Sequence, residues 1–560
     1  MTETKHLDLI LCWHMHQPDY RDHTTGEFAL PWTYLHAIKD YTDMAWYLEQ
    51  TPNARAVFNF VPILLDQLED YADQFATGRF RDPLLRFLAM PDVSALTAEH
   101  KTLILASCFR ANQATMIDAY PAYKQLQIWA GYFDGNDGAT YLSNQFFADL
   151  LMWHHLTWLG ETVRRGDASI TEWLARGKDF STPDRHALLE LIGFLITNLI
   201  PRYRALLEAG KIELSTTPHY HPIAPLLLEF ASARESWPEV TLPDCLNYSE
   251  GAARLQFHLD SAGASHRARF GVPAQGIWPA EGGLSQAVAE LFAERGYRWT
   301  ASGEAVLRHS LGGHTGERQG YLYRPYRLAA KSGSILGFFR DDRLSDKIGF
   351  AYAKWRGKDA ALDFVKELEG IADRAPDGEV PVVSIIMDGE NAWEYYPYNG
   401  FYFLSELYQM LSAHTRIRLT TFSDVTAAAG SAPELRHLSA GSWVYGTFST
   451  WIGDRAKNHA WDLLCAAKQA YDERIANGLL SDSQRRIAAR QLASCEASDW
   501  FWWPGDYNPS ESVKSFDLLY RHNLANLYRL LELPVPSALG HPLSVGAQKA
   551  DSSGTMRRVS

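Results

Sequence analysis

Two short segments of this chain carry acids in a setting that catalysis can use. One reads Gly276-Ile277-Trp278-Pro279-Ala280-Glu281-Gly282-Gly283, the other Ile385-Ile386-Met387-Asp388-Gly389-Glu390-Asn391-Ala392-Trp393-Glu394. Each is an apolar run that ends on a carboxylate and breaks at glycine, the pattern of a buried strand and its terminus. In parallel α/β folds the side chains at the C-terminal strand ends face the active-site mouth. Two carboxylates held there, about 5–5.5 Å apart, are the minimum equipment for cleaving a glycosidic bond with retention. They are far apart in sequence, so only folding can bring them together. A blander reading stands beside this one: each acid caps the helix that follows its strand.

Other segments repeat the theme. His14-Met15-His16-Gln17-Pro18 aims two imidazoles to one side of a strand, where they can bind a metal, hydrogen-bond sugar hydroxyls or support a nucleophile. Glu213-Leu214-Ser215-Thr216-Thr217-Pro218-His219-Tyr220-His221-Pro222 offers a second acid and histidine pair. Arg340-Asp341-Asp342 ends another strand and either sets the charge of a site or forms a salt bridge. Glu496-Ala497-Ser498-Asp499-Trp500-Phe501-Trp502-Trp503 places aromatic rings beside acids, which suits a sugar subsite or a packing plug between domains.

These side chains need a scaffold. Apolar runs at residues 7–14, 54–60, 212–216, 276–280, 297–301, 334–340, 380–387 and 417–421 predict strands. Helical patterns alternate with several of them, as in the stripe Leu284, Val288, Leu291 and Phe292 closed by Gly296. The expectation is an α/β fold, a distorted (β/α)-type barrel in residues 1–430 with a long helical insertion at about 63–209. Thr182-Pro183 is expected to open a helix there, broken or kinked at Pro201. After about 430 the strands mostly stop. Residues 431–536 are expected to form an α-helical domain, with a C-terminal cap at Asn477-Gly478 and a capping box at Ser481-Asp482-Ser483-Gln484. Residues 537–560 are small, polar and aperiodic, and are expected to be disordered.

Composition narrows the function. The net charge of −13 leaves no basic excess for nucleic acid or anionic membrane, and no run of apolar residues reads as a membrane span. Hydrophobic residues at 46% permit a full-sized core. Cys12, Cys108, Cys245, Cys465 and Cys495 are far apart and form no CxxC pair, which predicts buried free thiols in a reducing, cytoplasmic setting.

Taken in order, five of these segments resemble the conserved regions of glycoside hydrolase family 57. They are His14-Met15-His16-Gln17-Pro18, Gly210-Lys211-Ile212-Glu213 through Pro225, Gly276 to Glu281, Met387-Asp388-Gly389-Glu390, and Glu496-Ala497-Ser498-Asp499-Trp500. The spellings after Asp388 and Ser498 look most like the α-amylase and amylopullulanase side of the family. The resemblance implies a (β/α)7 barrel followed by a helical domain, retaining action on α-glucans, and no obligatory metal or other cofactor. It makes Glu281 the nucleophile and Asp388 the acid/base, with His14, Glu213, Asp499 and Trp500 around the substrate. The residue pattern adds His16, His221 and Trp278 to that lining. A 4-α-glucanotransferase or branching enzyme would use the same two acids. A metal-dependent mannosidase or deacetylase type would instead use His14 and His16 as ligands, and a glucan-binding protein would release no product.

Overall fold

The computed structural model describes residues 5–133, 138–313, 316–330, 333–430, 432–547 and 556. Among the described residues, ten strands form one sheet: β1 (Leu7–Met15), β2 (Ala56–Phe60), β3 (Ile212–Ser215), β4 (Gly276–Ile277), β5 (Trp299–Gly303), β6 (Tyr326–Ala330), β7 (Gly333–Arg340), β8 (Val382–Asp388), β9 (Ile417–Leu419) and β10 (Glu434–Leu435). β1 is buried at all nine positions, and β8 at every position but its last. Strands covered on both faces read as continuous apolar runs rather than alternating ones. β1 pairs in parallel with β2, β8 and β9, and β2 pairs with β3. On the other side β4, β5, β7 and β8 are joined by parallel pairings. An isolated parallel bridge from Thr216 to Ile277 links the end of β3 to β4.

One departure is the antiparallel β6–β7 hairpin, with β10 added to β6. Neither β6 nor β10 is expected from the sequence, because β6 is only half-buried and carries Arg327 within a short run.

Among the described residues, every element between β2 and β3 is a helix, the first Pro62–Thr77 and the last Thr182–Glu208. The last of these helices, Thr182–Glu208, is capped by Ser181, one residue before the expected cap. Ser181 and Asp184 satisfy each other's backbone N–H in a capping box. The expected break at Pro201 is absent, since the helix runs through it for 27 residues. Full turns on both sides, with Leu199 and Tyr203 buried, hold the helix across the one N–H that proline cannot supply.

Helices Arg455–Ala476, Asp482–Cys495 and Ser510–Leu530 follow the last strand. Residues 537–547 are among the described residues. They pack back on these helices, through Leu543 N to Asp517 Oδ1 (2.8 Å), Ala547 N to Asn508 O (2.8 Å) and the buried Leu539. Residues 548–555 and 557–560 lie outside the described residues. The free-thiol reading holds for Cys12, Cys108 and Cys495, while Cys245 and Cys465 form a disulfide. Among the described residues no helix is long and apolar enough to cross a membrane.

Glu496 anchors the helical region to the sheet region. Its carboxylate accepts from Arg254 Nε (2.7 Å) and Nη2 (2.9 Å), from Tyr248 Oη (2.5 Å), and lies 2.7 Å from His258 Nε2. Burial alone would raise this acid, but Arg254 and His258 outweigh it and hold the carboxyl at about 2. A buried charge left without its partner costs about 3–5 kcal/mol. Glu496→Gln is therefore expected to lower the urea midpoint sharply at pH 7. The folded value lies below the ordinary 4.5. The deficit should therefore be complete above that pH and shrink as pH falls toward 2.

Candidate active site

The C-terminal strand ends open into a cleft of about 510 Å³, whose wall carries His14, His16, His221, Glu281, Asp388 and Asp499. His14 sits opposite both Asn59 and Asp388 in the register of β1 with its neighbours, so the three share one level. At the end of β8, Gly389 N donates to His14 O (2.7 Å) as the last rung of the β1–β8 ladder, and a Cβ on Gly389 would collide with Met15 Sδ.

Glu281 occupies a left-handed backbone conformation, φ 59° and ψ 23°, uncommon for a residue with a Cβ and concentrated at functional sites. Trp443 holds it at two points: Trp443 N donates to Glu281 O (3.0 Å) and Trp443 Nε1 to Glu281 Oε2 (3.2 Å). Ser498 Oγ lies 3.0 Å from Glu281 Oε1. Asp388 Oδ2 accepts from Asn391 Nδ2 (2.8 Å).

Burial pushes the Glu281 carboxyl up to about 8, reinforced by the charges of Asp499 and Asp388 and opposed by its contacts with Ser498 and Trp443. Burial likewise raises Asp388 to about 6, against Asn391, His16 and Arg340. Like charges in one cleft do not all ionise together, so the two acids titrate as a unit. Part of what raises Glu281 is the charge on Asp388. A proton on Asp388 therefore eases ionisation of Glu281. Glu390, held by His16 N and Gln17 Nε2 (both 3.3 Å), is raised well above the ordinary range by burial, Asp388 and Asp40.

The histidines form a stack. His16 and His221 lie with ring centroids 3.8 Å apart, and His14 and His221 5.1 Å apart. Burial and the neighbouring imidazoles lower His14 to about 3 and take His221 well below its ordinary value, so both are neutral at pH 7. His16 Nε2 lies 3.0 Å from Asp499 Oδ2. One ligand atom each from His16, His221 and Asp499 falls within 4.8 Å of the others. His221, however, uses one ring nitrogen on His14 (3.1 Å) and the other on Ser498 (2.8 Å), and His16 Nε2 is engaged by Asp499. The trio is tied together by these hydrogen bonds.

Three expected lining residues lie elsewhere. Glu213 is buried lower in β3, accepting from Trp299 Nε1 (2.7 Å) and from Ser423 N (2.9 Å) and Oγ (2.5 Å). Trp278 is buried under the site, edge-on to Trp443 at 5.3 Å. Trp500 points into the helical core, donating to Ser494 O (2.6 Å) and stacking on Tyr520 at 6.0 Å. Asp499, Trp502 and Trp503 stand at i, i+3 and i+4, one face of a helical turn. That face meets the cleft and the face carrying Trp500 does not. Trp32, Phe109, Trp158, Tyr395 and Trp443 also line the cleft. Sequence motifs do not reach them: Trp32 opens a short helix between β1 and β2, Phe109 and Trp158 belong to the helical insertion, Tyr395 to a 3-10 turn, and Trp443 to an irregular stretch.

A parallel α/β sheet whose strand ends open on a cleft lined by acids and aromatic rings defines a protein that works on a ligand at that rim. The model of glycosyl hydrolase family 57 matches residues 10–435, and the chain belongs to that family. Its fold is similar to that of a family 57 branching enzyme from Thermococcus kodakaraensis (15% identity, TM-score 0.58, 94% of this chain and 90% of that one). It is also similar to the α-amylase AmyC of Thermotoga maritima (15%, 0.56, 94% and 94%). A third likeness is to 4-α-glucanotransferase of Thermococcus litoralis (13%, 0.52, 94% and 60%).

Proposed function

We propose that this chain is a retaining enzyme of α-glucans, of the α-amylase or amylopullulanase type, working by double displacement. The observation that carries this reading is the convergence of Glu281 and Asp388 on one aromatic-walled cleft. Glu281 attacks the anomeric carbon from its fixed backbone position while Asp388 protonates the leaving oxygen. Water, activated by Asp388 as base, then releases the sugar from Glu281. His14, His16, His221 and Asp499 surround the reacting sugar, and Trp443, Trp502 and Trp503 offer ring faces to its C–H surfaces. The bridge between Thr216 and Ile277 supports closure of β1, β2, β3, β4, β5, β7 and β8 into a distorted seven-stranded barrel. On that view residues 1–430 are the catalytic domain, and residues 431–536 a helical domain that completes the site with Ser498 and Asp499.

The aromatic lining favours a second reading, transfer, because rings that hold an acceptor sugar also exclude water. Chromatography of products from maltoheptaose and from pullulan separates the two. Hydrolysis gives shorter oligosaccharides and a rise in reducing ends. Transfer gives longer and shorter chains at constant reducing ends, and branching gives products that a debranching enzyme shortens. Absence of any product from both substrates overturns the proposal.

A further inference from the structure

A cleft of about 510 Å³ has the size of a pocket for a drug-sized ligand, so it holds a short oligosaccharide and a longer glucan must leave over the rim. One stretch of that rim carries exposed rings on a rigid mount. Glu394 and Tyr395 line the cleft, and the chain then turns through Pro397–Gly400 into the helix Phe401–Ser412. In that turn Tyr398 (φ 55°) and Asn399 (φ 52°) are both left-handed, followed by Gly400 (φ 73°). Successive residues with a Cβ stay in that region only where their surroundings impose it. Asn399 is buried, its Nδ2 donating to Asp43 Oδ2 (2.9 Å) and its Oδ1 accepting from Lys39 Nζ (3.1 Å). Gly400 lies against Trp393, where a Cβ would come within 2.9 Å of the ring. Trp393 Nε1 in turn donates to the carbonyl of Gly389, the residue after Asp388 (2.8 Å). With Asn399 pinned inward, Tyr398 is left 56% exposed, and Tyr402, in the first turn of the helix, 49% exposed. Their ring centroids are 5.5 Å apart and their planes cross at 86°. Arg165 braces both. Its Nε donates to Glu161 Oε1 (2.8 Å) and its Nη2 to Tyr402 Oη (3.2 Å), and its guanidinium lies 5.2 Å from the Tyr402 ring centroid and 5.8 Å from that of Tyr398.

We propose that Tyr398 and Tyr402 form a second glucan site, outside the cleft, that holds the remote part of an α-glucan chain whose reacting bond lies at Glu281 and Asp388. The inference rests on the reading of this chain as an α-glucan enzyme. A single exposed ring needs no explanation. Two rings that a strained turn, a buried amide and an arginine hold in place are ordered before a ligand arrives, which lowers the entropy cost of binding. Such ring faces suit the C–H faces of sugars, and the guanidinium and phenolic hydroxyls beside them suit sugar hydroxyls. Tyr395 and Glu394 make the platform continuous with the cleft, so one chain can follow the rim from the reacting bond to the rings. A polymer that engages both places gains effective concentration at the cleft, whereas a short oligosaccharide fills only one. The site therefore gives the enzyme a preference for long chains.

The experiment is native affinity electrophoresis of the full-length protein in gels that contain soluble amylopectin, run in the Glu281→Gln background so that no substrate is consumed. Adding Tyr398→Ala and Tyr402→Ala together should weaken binding to amylopectin about tenfold, the weight of two ring contacts. Tyr398→Phe, which keeps the ring face, should bind as its parent does. With Glu281 restored, the double variant should lose about tenfold in kcat/KM on amylopectin relative to kcat/KM on maltotetraose. Damage to the fold would lower both alike and leave that ratio unmoved. Equal retardation of parent and double variant, or an unmoved ratio, overturns the site. So does sedimentation that shows a dimer of the parent split by the double variant, because the rings would then be an interface between copies of this chain. Where the double variant fails to fold, Tyr398→Ala decides alone. If the wild type forms no product from maltoheptaose or pullulan, the enzyme reading fails; if it forms product and retardation is unmoved, only the second site fails.

Discussion

Glu281→Gln is expected to cut turnover of malto-oligosaccharides by about four to six orders of magnitude, the loss seen when a covalent nucleophile is removed. Gln fills the same space but cannot bond to the anomeric carbon. Misfolding would mimic this loss, and linkage separates the two. Burial holds the folded Glu281 at about 8 against an ordinary 4.5, so the folded state binds its proton more tightly than the unfolded chain. Such an acid does not oppose folding below 4.5, and it opposes folding increasingly as pH rises to 8. The Gln variant should therefore melt at or above the wild-type temperature at pH 8, with the difference fading toward pH 4.5. A second substitution shows that position 281 carries the bond. Glycine adopts the φ of 59° there without strain and leaves a space. With an α-glucosyl fluoride, azide should restore the rate of Glu281→Gly and give a β-glucosyl azide, because azide attacks from the vacated side. A Gln variant as active as wild type, or an α-configured azide product, would remove Glu281 from the role.

Asp388 and His14 are legible because they lie at the ends of buried strands, and Glu281 because it follows an apolar run, although β4 itself stops at Ile277 and Glu281 sits in the 3-10 turn after it. β1 and β8 are covered on both faces, so their apolar runs stand out, and a carboxylate or imidazole at the terminus is conspicuous. What height along a strand an acid occupies is not written in its type. Glu213 has the same character as Glu281, yet it lies lower in β3, satisfied by Trp299 and Ser423, and never reaches the cleft. Helical phase decided between tryptophans that the sequence sets side by side: one face of the turn brings Trp502 and Trp503 to the cleft, and Trp500 faces the core. Trp443 touches Glu281 across 162 residues from an irregular stretch, where no periodicity marks a position. Ser498 was in view within its motif, but its partner His221 is 277 residues away, and only the fold makes them a pair. The same distance hid the Cys245–Cys465 disulfide, whose members are 220 positions apart.

Asp388→Asn should cost about two to four orders of magnitude on malto-oligosaccharides, the range for loss of a general acid/base. The effect should depend on the leaving group in a way that the Glu281 variants cannot reproduce. The first step needs a proton only when the departing oxygen is a poor leaving group. On an α-glucosyl fluoride the Asn variant should form the glycosyl-enzyme at close to the wild-type rate. Release still requires a base to activate water, so the intermediate should accumulate and appear as an added sugar mass on the intact protein. The pH profile carries an independent signature. In the wild type the two acids, at about 6 and about 8, give a bell-shaped kcat/KM, and its limbs belong to the pair. Without Asp388 the bell should collapse to a single rise with pH, as Glu281 ionises alone. The charge of Asp388 is one of the causes that raise Glu281 to about 8, so the midpoint of that rise should lie below 8. A midpoint at or above 8 would mean that the two carboxylates do not feel each other. They would then not be close enough to share one glycosidic bond.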